Sequence, residues 1–85
     1  MANMRCAREE ELIPTVDAGG LEEMRITRVG ESTYVLSVKL KSPRHRIYLS
    51  TRRNPAAPRH FKHIEAAAAA GRRMFNARYF TLVLH

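Results

Sequence analysis

The chain has little of what a secreted protein or a typical enzyme is built from. Cys6 is the only cysteine in 85 residues, so no internal disulfide can form, and no Cys or His lies near it at metal-ligand spacing. That fits a reducing compartment. No run approaches the ~20 apolar residues of a membrane helix. Residues 1–23 lack the basic-then-apolar order of a signal peptide, so the chain reads as soluble and cytoplasmic, with no membrane partner. The four glycines, at 19, 20, 30 and 71, fall outside any GxGxxG or GKS/T pattern, which removes nucleotide-cradling loops from consideration.

Acid is the scarcest resource where it would matter most. From Ser32 to Ile64 there are 33 consecutive positions without Asp or Glu, so catalysis by paired carboxylates has no raw material there. His60 and His63 are three apart and could share a helix face, but only Glu65 lies close enough to add a metal ligand. A metal-free ribonuclease would draw on His45, Arg46, Tyr48 and Arg52, whose order is not diagnostic of one. A domain of this length has a marginal core and little room for a deep pocket. The expectation is a protein that is not an enzyme and needs no cofactor or metal.

What the chain does have is positive charge, unevenly placed. The net charge of +7 divides into −4 over residues 1–23 and +11 over residues 24–85. The first segment contains Pro14, shows no sustained period and ends in Gly19-Gly20, which reads as a flexible acidic N-terminal arm with at most a turn of helix over residues 7–12. The basic domain then occupies residues 24–85.

Within that domain the periods are clear. "MRITRVG" alternates weakly and stops at Gly30. "TYVLSVKLK" places Tyr34, Leu36, Val38 and Leu40 on one face, and "RIYLSTR" places Ile47 and Leu49 inward, with Ser42-Pro43 as turn residues between the two runs. "HFKHIEAAAAAGRRMF" predicts a helix from about His63 to Phe75, rich in Ala and with Ile64, Ala68, Gly71 and Phe75 recurring at helical spacing. A last strand, "RYFTLVLH", puts Phe80, Leu82 and Leu84 on one side. The expected fold is a small single α+β domain of order β-β-β-α-β, its antiparallel or mixed sheet covered on one face by the Ala-rich helix.

The outward positions carry the functional signal. Lys39, Lys41, Arg44 and Arg46 flank the hairpin turn, Arg52, Arg53 and Arg59 occupy the following loop, and Lys62 stands at the helix entrance. Solubility or edge protection would account for any one of them, but a face tuned for solubility mixes both signs. A basic stripe with an outward Tyr48 as a stacking contact suits a phosphate backbone. Tyr79 also faces outward, whereas Tyr34, Phe61, Phe75 and Phe80 read as core. The Glu9-Glu10-Glu11 cluster could fold over this face and compete with an anionic ligand.

The run "YVLSVKL…RIYLSTRRNPAAPRHFKHIEAAAAAGRRMF…RYFTLVL" resembles small accessory proteins of plasmids, phages and integrative elements, including partition-associated ones. In these a strand ends in an Arg-rich turn, and a Pro-Arg-x-Phe segment, here Pro58-Arg59-His60-Phe61, leads into an Ala-rich helix and a final strand. The resemblance covers residues 33–84. It departs at the helix start, where His63-Ile64-Glu65 replaces Ser-Leu-Asp, and the loop here is longer. It implies a mobile-element origin. The resulting expectation is a non-enzymatic nucleic-acid-binding protein, with DNA ahead of RNA as partner and a homodimer left open. An anti-CRISPR-type inhibitor that binds a host nucleoprotein complex is the alternative, and a small RNase toxin the third reading.

Overall fold

The apolar stripes of the strands and of both helices meet on one side of a single five-stranded sheet. The structure, a computed structural model, describes residues 5–41 and 45–84. Its elements are β1 (Cys6–Ala7), α1 (Glu9–Thr15), a π-helical turn (Val16–Gly20), β2 (Leu21–Arg28), β3 (Tyr34–Leu40), β4 (Arg46–Leu49), α2 (Ile64–Phe75) and β5 (Thr81–Val83). The strand order is β1-β4-β3-β2-β5. β3 runs antiparallel to both its neighbours, β1 is parallel to β4, and β5 is parallel to β2. The protein is therefore α+β with a mixed sheet, one main helix and one short one.

Two parallel crossovers explain why one face is covered. The connections β1-α1-β2 and β4-α2-β5 move the chain across the sheet in the same sense, and the common handedness of such crossovers puts both helices on the same side. Leu12, Val16, Ala67, Ala70, Met74 and Phe75 pack there on Met24, Ile26, Leu36, Val38, Leu40 and Leu49. The alternation read in β3 and β4 agrees with this. On the opposite face Val35 and Ser37 are nonetheless each only 1% exposed. β3 is the central strand, and Arg46 Nη1 lies across it to donate a 3.0 Å hydrogen bond to Ser37.

The expectation of an arm over residues 1–23 needs correction. Residues 5–23 contribute β1, α1, the π-helical turn and the start of β2, and Leu12 is 3% exposed in the core. The element order is thus β-α-β-β-β-α-β. Acidic residues disguised the segment, because Glu22 and Glu23 are the second and third residues of a strand that runs from Leu21 to Arg28. Glu9, Glu10 and Glu11 form the first turn of α1, where negative charge favours the helix dipole. Pro14 supplies no N–H, α1 gives way to the wider turn, and Gly19 closes it at φ 85°, a conformation that suits glycine.

The second helix follows its sequence pattern closely. His63 takes the N-cap position without a side-chain cap, Glu65 lies in the first turn, and Arg72 and Arg73 lie in the last. A Cβ on Gly71 would stand 2.6 Å from Phe80 Cε2, so the bare backbone is what lets that ring approach α2. The helix ends at Asn76 in the left-handed region (φ 55°, ψ 34°), with the Asn76 amide donating to Arg72 O and the Ala77 amide to Gly71 O. Asn76→Ala should therefore lower the stability by about 1 kcal/mol, while Asn76→Gly should leave it level or slightly raised. Thermal melting of the two variants side by side tests this.

Candidate nucleic-acid interface

The structure distributes the candidate basic residues over three places. Lys39, Arg46 and Tyr48 lie on the uncovered face of the sheet, where Lys39 pairs with Arg46 across the strands and Tyr48 stands between Cys6 and Ser37. Arg52, Arg53, Arg59 and Lys62 belong to the connection between β4 and α2, at the sheet end where β2 turns into β3. Lys41 lies at the opposite end, its amide donating to Gly20 O. Arg44 and the turn residues Ser42 and Pro43 fall outside the described residues.

The connection from β4 to α2 is held at several points along its length. Bridges join Ser50 to Pro58 and Tyr34 to Phe61, and the Arg59 amide donates to Leu49 O. Phe61 is buried in the core beneath this return, and the Arg59 guanidinium lies over its ring, 4.8 Å from the centroid. Within the loop tip the Asn54 amide bonds Thr51 Oγ1 and the Ala57 amide bonds Asn54 O. Arg52 and Arg53 are consequently displayed, both exposed, on a tied loop. His60, Lys62 and His63 follow, also exposed. The same end of the sheet receives the start of α1, and Glu10 Oε2 approaches Arg52 Nε to 3.3 Å. Arg53 and Lys62 have no ion-pair partner among the described residues.

The uncovered sheet face is more nearly neutral than its sequence suggested. Glu23 Oε1 is bound by Arg46 Nη2 at 2.5 Å and by Arg25 Nη2 at 3.2 Å, and Glu23 Oε2 accepts from Thr81 Oγ1 at 3.1 Å. Lys39 Nζ is 3.3 Å from Glu22 Oε2. The Arg46 guanidinium beside Glu23 is the main reason its carboxyl sits below the usual range, with Thr81 and Arg25 adding to this against some desolvation. Lys39 and Arg46 are thus already engaged within the fold. Glu23 and Arg25 were missing from the candidate set, although "LEEMRITR" places them opposite Met24 and Ile26 by simple alternation.

Other readings find less support in the placement. Of the residues a ribonuclease would need, Arg46 and Tyr48 point to the uncovered sheet face. His45 precedes β4, whereas Arg52 follows it and turns toward α1. No cluster of three or more His, Cys, Asp or Glu able to hold a metal occurs among the described residues. Burial pushes the Cys6 thiol up, away from the thiolate form. No described helix is long and apolar enough to cross a membrane. Comparisons with protein families, with curated proteins and with solved structures find no match to this chain.

Proposed function

We propose that this protein binds nucleic acid, DNA in preference to RNA, through the basic loop of residues 50–63, as an accessory protein of a mobile element. The observation that carries this reading is the display of Arg53 and Lys62, without an ion-pair partner among the described residues, beside an Arg52 held only by an exposed pair with Glu10, on a loop pinned by the Ser50–Pro58 and Tyr34–Phe61 bridges, within a 33-residue stretch free of acid. Uncompensated cations on a fixed scaffold release counterions when they meet phosphates, and that release drives binding. Lys39 and Arg46 contribute less, because their carboxylate partners would have to be given up. Such contacts position a protein on a backbone and carry no base information by themselves. The mobile-element assignment rests on the sequence resemblance over residues 33–84.

Fluorescence anisotropy of labelled duplex DNA and RNA from about 50 to 300 mM salt tests it. The expected result is a log-log slope corresponding to several phosphates, reduced by about 0.9 for each of Arg53→Ala and Lys62→Ala on B-DNA. Lys39→Ala should change the slope by less than either. No binding at the lowest salt would refute the reading and move a protein partner, as in the inhibitor alternative, to first place.

A further inference from the structure

One small cavity lies where the acidic and basic parts of the chain meet. It holds about 120 Å³ and is walled in part by Arg8 at the start of α1, by Ser50 and Thr51 after β4, and by Arg52 and Arg59. Since about 10–15 Å³ of such space holds one water, it has room for a tetrahedral oxyanion. Three arginines line this space, and the guanidinium is the side-chain group that best suits phosphate oxygens; Arg8 is paired with exposed Glu11 and Arg59 lies over Phe61.

A second observation points independently to a ligand. Ser50 is 5% exposed, and its Oγ is buried without a hydrogen-bond partner. A buried hydroxyl in that state costs free energy that a bound oxygen would recover. Glu9 and Glu10 also line the cavity, and Glu10 holds Arg52 at 3.3 Å with the Arg52 side chain 83% exposed. So exposed a pair is weak. A phosphate oxygen can take its place.

We propose that this cavity seats a single phosphate group, and that Glu10 occupies Arg52 until the phosphate arrives. That the phosphate belongs to a nucleic acid rests on the function proposed above; the seat itself does not. Glu10 is then an internal competitor, which gives the acidic N-terminal segment a regulatory part without its having to move as an arm.

The test is an NMR titration of the isotopically labelled full chain with inorganic phosphate, and in parallel with one short oligonucleotide carrying or lacking a 5′-phosphate. Saturable shifts of the Ser50, Thr51 and Arg52 amides are expected. Ser50→Ala should weaken phosphate binding by about tenfold, and Glu10→Gln should tighten it about two- to fivefold. Preference for the 5′-phosphorylated strand assigns the seat to a terminal phosphate; equal binding of both strands with the same shifts assigns it to the backbone. Absence of saturable shifts, or wild-type affinity in both variants, overturns the seat. If Ser50→Ala binds inorganic phosphate and duplex as the wild type does, the seat fails while the nucleic-acid reading stands. Phosphate binding without nucleic-acid binding gives the reverse.

Discussion

A chain shortened to residues 24–85 is expected to lose its cooperative thermal transition altogether. The cut removes β1, and with it the parallel partner of β4 along Tyr48 and Leu49. It also removes α1 with Leu12, the turn with Val16, and the first three residues of β2. Leu12 and Val16 are buried at 3% and 8% exposure against the same core that α2 covers. Each such side chain contributes about 1.5–3 kcal/mol when fully buried, and the loss would also expose one side of Leu49 and Met74. An 85-residue domain has about 5–15 kcal/mol in all, with the lower end expected at this size. The deletion therefore exceeds what the remainder can bear. Circular dichroism melting of the truncated chain checks the outcome: a transition like that of the full chain would show that residues 5–23 are dispensable. For the same reason, deletion cannot test whether the acidic segment competes with a ligand, and Glu10→Gln is the variant that can.

Glu23→Gln is expected to destabilise the fold by about 1–3 kcal/mol at neutral pH, or roughly 10 °C in Tm for a domain of this size. The carboxylate bridges Arg46, Arg25 and Thr81 across the uncovered face. Glutamine keeps the shape and loses the charge, leaving two guanidinium groups facing each other. Arg25 Nε is already buried without a partner, so Glu23 is the main counterweight to positive charge on this surface. The pH dependence has a definite sign. The folded pKa of Glu23 is lowered, chiefly by the hydrogen bond from Arg46, so the stabilisation is complete above the unfolded value of about 4.3. It is lost as pH falls through the folded value. The gap in melting temperature between wild type and Glu23→Gln should be constant from neutral pH down to about pH 5 and close below that. A gap that stays open under acid would show that the packing of the side chain, and not its charge, is what matters. Glu11 is lowered in the same direction through the Arg8 amide, but it is exposed and contributes little to this.

Much of the fold is legible from local pattern because the apolar side chains of β3, β4 and α2 recur on one face of each element, even though the opposite face of central β3 is also buried at Val35 and Ser37. The period is 2 in Tyr34–Leu40 and near 3.6 in Ile64–Phe75, and those periods are set by backbone geometry alone. Glu65 and the Arg72-Arg73 pair mark the two ends of α2 for the same local reason. Residues 5–23 resisted such a reading. Two-residue β1 is too short to show alternation, α1 contains a proline, and the start of β2 carries two glutamates, of which Glu22 falls at a register shift while Leu21 and Glu23 pair with Leu40 and Lys39.

The candidate site divides along the same line. The positions of the cations, the acid-free stretch from Ser32 to Ile64, and the outward placement of Arg46 and Tyr48 are properties of the sequence itself. Which cations remain available is a property of long-range contact. Glu22, Glu23 and Glu10 lie 17 to 42 positions from the Lys39, Arg46 and Arg52 side chains they meet, and no local rule pairs them. Sequence alone determined that this protein carries excess positive charge on a small α+β scaffold. Tertiary structure decided that Lys39 and Arg46 spend theirs within the fold while Arg53 and Lys62 do not. Charge is additive along a chain, but its neutralisation depends on which strands the sheet brings side by side.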